Sequence, residues 1–458
     1  MLLRILALGL IASVRTYSNA AASELTTSDG TLIDHVWAGH PVGFALLVER
    51  GHVFIGYYDA ERRLTVAARP AGRREWTRVQ LEGIWNEAKQ RWSNVVGWDS
   101  HNSIVLAVDA DGYLHLSGNL HVDPLVYYRS RRPLDITSFE RLDRMTGDRE
   151  ARATYPHFFK DAAGELYFDY RDGSSGDAVD LYNRYDRATR QWQRHIPTPL
   201  FDGEGRRSAY ALPPTLGPDG RFHLLWMWRD NPDAATNQQL SYARSRDLLQ
   251  WEDAQGNPVP LPITFGGGDV IDDARPGEGL VNTTYALGFA PDGQPVAVYH
   301  RYNSEGHSQL FAARPAGADW QRQPLTDWRF RWAFGGYGSL QVDVYIHPVR
   351  TEADGTLLVP FFTREVPSGV LRVNPQTLKA ETVLPPDAPV LPATQMQVRS
   401  PFPEMEVRTR AVETEEGNYI LRWETLPSNR DQPRPTAPPP SELRLIEQRA
   451  VAAPDPPS

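Results

Sequence analysis

A chain of 458 residues with 41% hydrophobic content is long enough to bury a large core. Its net charge of −9 argues against a nucleic-acid partner, and the absence of cysteine excludes disulfides and thiolate metal sites. In chain order, the first element is a basic start, Arg4, followed by a short apolar run that ends before Arg15. Small residues Ala20-Ala21-Ala22 stand at a cleavage distance. This pattern predicts a signal peptide over residues 1–22 rather than a membrane span, hence a secreted or periplasmic protein with no membrane partner.

From there a turn recurs about every sixty residues. Its copies are Glu49-Arg50-Gly51-His52, Asp111-Gly112-Tyr113, Ala163-Gly164-Glu165, Asp219-Gly220-Arg221, Asp292-Gly293-Gln294, Asp354-Gly355-Thr356 and the weaker Glu415-Glu416-Gly417-Asn418. Asp-Gly between apolar runs is a hairpin signal, because glycine takes the positive φ that the tight turn demands. A short strand precedes each turn, as in 103–108, and a period-two strand follows, as in 113–118, 166–170 and 222–228. A third strand ends in Arg-Ser or Arg-Pro at 129–130, 244–245 and 314–315, and Trp76, Trp192, Trp251 and Trp320 open the fourth. Four antiparallel strands per repeat and seven repeats predict an all-β, seven-bladed β-propeller over residues 23–427. The proline-rich remainder, 428–458, reads as a mostly mobile tail in which Leu443-Arg444-Leu445-Ile446 alone has strand character. Ser245-Arg246-Asp247-Leu248-Leu249-Gln250-Trp251 is similar to an Asp-box turn without its usual glycine.

Strand direction alternates within a blade, so the residue before strand one and the residue after strand two share an edge, opposite the glycine turn. That rule puts His101 and Asn102 beside Asn119 and His121, and Tyr155 beside Arg171. It puts Tyr210 near Arg229, Tyr285 near His300, Arg301 and Tyr302, and Tyr337 near Arg364. A ring of His, Tyr, Arg and Asn about one end of the channel suits an anionic sugar. His115 and His223 fall in mid-strand and read as packing residues. The longest interval between turns, 73 residues, carries an insertion at 265–279 that emerges on the same rim and is expected to wall the cleft. Its Asp269, Asp272 and Asp273 read as a solvated loop rather than a calcium site.

These groups match the needs of elimination at a uronic acid. The proton on C5 is weakly acidic, so the neighbouring carboxylate must be neutralised, a base must take the proton, and an acid assists the leaving oxygen on C4. Arg171 offers two-pronged donation to a carboxylate. Tyr155 and His101 are candidate bases, the tyrosine because a nearby arginine favours its phenolate. His121 is a candidate base, acid or carboxylate ligand.

The runs Trp98-Asp99-Ser100-His101-Asn102, Gly118-Asn119-Leu120-His121, Tyr155-Pro156-His157-Phe158 and Tyr170-Arg171-Asp172-Gly173 resemble the BNR-repeat seven-bladed polysaccharide lyases, which include ulvan and rhamnosyl-glucuronate lyases. The resemblance spans roughly residues 40–400. It implies substrate-facing histidines at His101 and His121, a tyrosine acid or base at Tyr155, a carboxylate-neutralising Arg171 and a further tyrosine at Tyr210. Binding residues are expected at Asn102, Asn119, Tyr210, Arg229, His300, Arg301 and Tyr302. Some members hold a structural metal, calcium or zinc. No ligand set for one is recognisable here, and no cofactor is required. Two rivals stay open: a sialidase-like hydrolase, which needs a glutamate beside a rim tyrosine, and a non-catalytic glycan-binding propeller using Trp226, Trp228, Tyr299 and Tyr302 as platforms.

Overall fold

The structure is a computed structural model describing residues 25–28 and 30–450; the expected signal peptide lies outside the described residues. It is an all-β propeller, and among the described residues the only helical pieces are two three-residue 3-10 turns, Ile136–Ser138 and Ala234–Thr236. None of its helices is long and apolar enough to cross a membrane.

Six sheets come from successive stretches of chain. Their second strands, each following a glycine turn, are His52–Tyr58, Leu114–Gly118, Leu166–Ser174, Phe222–Arg229, Pro295–Tyr302 and Leu357–Thr363. The repeat predicts a seventh like blade, and here the structure differs. Glu406–Thr414, Gly417–Thr425 and Ser441–Ala450 form a sheet that takes Thr31–Val36 from the other end of the chain. The propeller therefore has six blades, with His121–Asp123 crossing from the stretch of the second to the sheet of the third, and a ring-closing sheet shared by both chain ends, rather than seven equal repeats. Leaving that sheet at its three C-terminal strands would expose the unpaired edge of Ser441–Ala450, which closure covers.

The predicted boundary at 427 moves for the same reason. Ser441–Ala450 is not tail. It is the strand between Gly417–Thr425 and the N-terminal strands, with Leu443 and Leu445 buried in the core.

All seven turn glycines have positive φ, from 70° at Gly51 to 135° at Gly417, as the hairpin chemistry requires. The Asp-box-like segment folds as such. Asp247 Oδ1 accepts from the backbone N–H groups of Leu249 and Gln250 at 2.8 Å each, and Leu248 takes φ 64° in place of the glycine. Middle strands are buried on both faces, as in Phe222–Arg229, where seven of eight residues are inaccessible. Stacking each blade between two neighbours overrides the half-polar alternation of a one-sided sheet. His115 and His223 pack as expected, each bonded to a tyrosine of the next strand, Tyr127 at 2.7 Å and Tyr242 at 2.6 Å.

Candidate active site

A cavity of about 2780 Å³ runs along the propeller axis. His101, Tyr155, Arg171, Tyr210 and Arg229 line it together, so the edge rule holds for the second, third and fourth sheets. His121 joins them through a shared carboxylate. Asp99 accepts from His101 Nδ1–H at 2.6 Å and from His121 Nδ1–H at 2.5 Å, and the two imidazoles stack at 4.1 Å. Burial works against the Asp99 carboxylate, but the two histidine hydrogen bonds win and hold its pKa well below the usual range. An ionised Asp99 fixes the proton on both Nδ1 atoms and leaves both Nε2 lone pairs free. Burial lowers the pKa of His121, which favours the neutral ring.

The local backbone aims these groups. The loop after Leu114–Gly118 has left-handed Asn119 (φ 60°) and Val122 (φ 57°), and His121–Asp123 leaves its own sheet to pair with Ala153–Lys160. On that strand the register slips between Thr154 and His157, and Tyr155 sits at φ 54°. A bulge re-aims a side chain, and a left-handed tyrosine costs about 1–3 kcal/mol, which the surrounding sheet must offset.

Arg171 is only 3% exposed, and its Nε and Nη1 have no hydrogen-bond partner. Its guanidinium carbon lies 4.7 Å from the Tyr155 ring centroid and 5.4 Å from that of Tyr210. A buried cation with idle donors, facing a cavity, calls for an anion. The expected phenolate at Tyr155 is corrected: burial outweighs Arg171 and pushes its pKa up to about 12. Tyr210 moves the other way. Burial opposes its ionisation, but Arg171, Arg229 and a 2.8 Å hydrogen bond to Ser175 Oγ lower its pKa.

Like Asp99, two further carboxylates at the site had no role assigned from the sequence. Asp180 lines the cavity on the strand next to Arg171, directly across the pair in register. Burial raises its pKa to about 7 despite Arg171. Asp431, in the segment predicted as tail, accepts from Ser100 N–H and Oγ–H at 3.0 and 2.9 Å and from Ser339 N–H at 2.9 Å. It also bonds His40 Nε2 at 3.0 Å and approaches His101 Nδ1 to 3.6 Å. Asp99 stood in the run Trp98–Asn102 without an assigned role, and its Asp-x-His spacing was the signal that pointed to it. An acidic residue inside the otherwise ordinary strand Asp177–Asp186 was the only hint of Asp180. Nothing in the proline-rich composition pointed to Asp431.

The remaining expected binding residues are elsewhere. Asn102 is fully buried; its backbone carbonyl accepts from Tyr58 O–H at 2.9 Å, while its side-chain amide has no hydrogen-bond partner. Asn119 donates its amide to Ser93 O and Val95 O at 2.8 and 3.1 Å. Neither lines the cavity. His300, Arg301 and Tyr302 do not line it either. His300 Nδ1–H donates to Gly279 O at 2.6 Å, burial pushes the His300 pKa down to about 4, and Tyr302 O–H donates to Trp332 O at 2.6 Å. Arg301 is ion-paired to Asp272 and, at 3.0 Å, to Glu278. The 265–279 insertion therefore does not wall the cleft; its carboxylates and carbonyls occupy the rim groups of the fifth sheet. Nor is it a solvated loop. Asp269 accepts from Ala254 N–H at 2.7 Å, Asp272 is buried, and Asp269–Asp272 pairs as a strand with Asn237–Ser245.

Arg229 lines the cavity, but its Nε donates to Asn231 O at 3.0 Å. Of the paired aromatics, Tyr285 lines the cavity and donates to Tyr210 O at 2.8 Å. Tyr337 is exposed outside it, and Arg364 pairs with Asp343 at 3.1 Å. Among the described residues one cluster has metal-ligand geometry, Asp99 with His101 and His121. Its short hydrogen bonds already account for the arrangement.

The family described as BNR repeat-containing matches residues 52–328. Among solved structures, the polysaccharide lyase Uly1 is 16% identical, covering 89% of this chain and 90% of its own at a TM-score of 0.58. A PL25 ulvan lyase bound to -[GlcA(1-4)Rha3S]- is 13% identical, covering 93% and 98% at a TM-score of 0.59. At these identities the likeness shows the fold. No curated protein matches the chain.

Proposed function

We propose, for a chain that belongs to the BNR repeat-containing family, that it is a secreted or periplasmic lyase cleaving a uronate-containing polysaccharide by β-elimination. The observation that carries this reading is Arg171, buried and lining the cavity with idle Nε and Nη1, against Tyr155, whose ring in turn lies 5.8 Å from that of the Asp99-oriented His101. The shared fold with two polysaccharide lyases supports it.

In this mechanism the substrate carboxylate lies on Arg171, which neutralises the charge that builds up as C5 is deprotonated. His101 Nε2, free because Nδ1–H is committed to Asp99, takes the C5 proton. Tyr155 remains protonated at neutral pH and donates its O–H proton to O4 as the C4–O bond breaks. The C5–H electrons become the C4=C5 double bond, so the products are a 4,5-unsaturated uronate and a free hydroxyl. His121 stacks on His101 and shares Asp99. Tyr210, its ionisation favoured by two arginines, helps hold Arg171 in place. The substrate is the ulvan-like or rhamnosyl-glucuronate class, and no metal or cofactor is required.

The rival readings have less support. Of the four aromatics assigned as platforms to a glycan-binding propeller, Trp226, Trp228 and Tyr299 are fully buried, and the part-buried Tyr302 has Arg331 over its ring at 3.7 Å. The glutamates lining the cavity, Glu352, Glu381 and Glu413, belong to the sixth sheet and the ring-closing sheet rather than to the neighbourhood of Tyr155. A sialidase-like hydrolase lacks its acid there.

The test is to incubate the protein with ulvan, gum arabic and other uronate polymers while following the ultraviolet absorbance of conjugated unsaturated uronate. Elimination gives a rising absorbance on at least one polymer. New reducing ends without that absorbance would indicate hydrolysis and overturn the reading.

A further inference from the structure

Between the first and second sheets the chain projects a two-stranded ribbon, Trp85–Asn86 paired with Arg91–Trp92, that belongs to no blade. Trp85 and Trp92 are cross-strand partners with ring centroids 5.8 Å apart and planes at 73°. Such a contact steadies an isolated ribbon, which is otherwise marginal in water. It does not explain why the two rings remain 43% and 50% exposed, with Ile84 beside them 43% exposed. Contiguous apolar surface of this kind marks a binding surface.

The ribbon is tied to the active site. Lys89 Nζ, at its tip, donates to the carbonyl of His121 at 2.8 Å and to Asp123 at 3.3 Å. Arg91 and Asn86 also reach Asp123, at 3.2 and 3.3 Å, and Asp123 accepts from His121 N–H at 3.0 Å. The tryptophans are next in sequence to Asn86 and Arg91 and three or four residues from Lys89, about 10–13 Å at about 3.3 Å per residue, a span a polymer chain crosses easily. A tryptophan face carries negative quadrupole charge and meets the polarised C–H bonds on the apolar face of a pyranose.

We propose that Trp85 and Trp92 form a sugar-stacking platform, a subsite for a pyranose ring of the same polysaccharide chain whose uronate lies on Arg171. This rests on the lyase reading above, and it gives that enzyme a grip on polymer that the cavity alone does not supply. The platform is continuous with the site through Lys89 and His121, and an adjacent ring of the bound glycan is the occupant that continuity favours.

The experiment compares wild type with the double variants Trp85→Ala/Trp92→Ala and Trp85→Phe/Trp92→Phe. Kinetics are measured on the cleaved polymer and on the shortest cleaved oligosaccharide, and retardation in a polysaccharide gel is measured alongside. The platform predicts a KM on polymer raised about tenfold in the alanine variant, with kcat within about twofold and most of the loss restored by phenylalanine. The short substrate should be unaffected. An unchanged KM and unchanged retardation overturn the platform and leave the lyase standing. So does an equal fall of kcat on short and long substrates in both variants, which would make the tryptophans mere supports for His121. Wild type retarded but not cleaving, with the alanine variant running free, upholds the platform and overturns the lyase. Wild type neither cleaving nor retarded on any uronate polymer overturns both.

Discussion

The rim of the third sheet and the rim of the fifth carry the same kinds of side chain at equivalent strand ends. One offers Tyr155 and Arg171; the other offers Tyr285, His300, Arg301 and Tyr302. Their fates differ because of what their neighbours supply. Around Arg171 the neighbours are aromatic faces and a carboxyl with a raised pKa, so Nε and Nη1 remain idle toward the cavity. Around Arg301 the 265–279 insertion brings Asp272 and Glu278, and both terminal nitrogens of the guanidinium are ion-paired. Residue type and strand register put a group on a rim. Whether the fold has already satisfied it decides whether it is available for a ligand.

The largest effects should follow from the open rim. Tyr155→Phe removes the proposed acid and Arg171→Ala the neutralising cation; each should lower kcat/KM for elimination at least about a hundredfold, measured as initial ultraviolet rates. Arg171→Ala should also raise KM, since Arg171 binds the ground-state carboxylate. Near-normal rates in either variant would remove that residue from its role.

Next is the orienting carboxylate. Asp99→Asn keeps the shape but frees the histidines to adopt the wrong tautomer, and should cost about ten- to a hundredfold in kcat with KM little changed. A KM effect alone would make Asp99 part of the binding surface instead.

A smaller effect is expected from pH. Asp180, with a pKa raised to about 7, faces Arg171 and Asp169 and lies near Tyr182 and Tyr285. Below pH 7 it is neutral, and Arg171 keeps its whole charge for the substrate. As pH rises through 7 a carboxylate forms beside that arginine, so KM should rise severalfold, and Asp180→Asn should flatten the profile. The stability sign follows from the same shift. The folded state resists ionising Asp180, so stability is lost as pH climbs from the ordinary carboxylate value through 7. The asparagine variant should therefore melt higher than wild type above pH 7 and nearly level with it at pH 4. A pH-independent difference would contradict this account of Asp180.

The smallest catalytic effect belongs to the closed rim. Arg301→Gln should leave kcat/KM within about twofold while lowering stability by roughly 1–3 kcal/mol, because Asp272 is left buried without its cation.

Much of this was legible in the sequence, for identifiable reasons. Glycine turns, four of the seven Asp-Gly, have a local chemical cause, so each copy announced its hairpin and the propeller class followed. The edge rule needs only strand alternation, and it brought His101, Tyr155, Arg171, Tyr210 and Arg229 to one cavity. What failed was non-local. Ser441–Ala450 showed strand character at 443–446, but its place between Gly417–Thr425 and Thr31–Val36 depends on a pairing across most of the chain length, which no local pattern encodes. Asp431 reaches Ser100 and Ser339 from a segment whose prolines suggested only mobility. Asn102 and Asn119 have the residue type of a binding site, yet Asn119 donates its amide to a neighbouring loop and Asn102 is buried away from the cavity. Tyr155 lies beside an arginine as expected, but its burial, which a sequence does not reveal, outweighs that neighbour.

The measurement that bears most directly on the contrast between the two rims is the initial rate of unsaturated-uronate formation by wild type, Tyr155→Phe and Arg301→Gln, side by side on one uronate polymer. The account predicts a loss of about a hundredfold or more for Tyr155→Phe and a rate within about twofold of wild type for Arg301→Gln. Equal losses in the two variants, or a greater loss at Arg301, would contradict it.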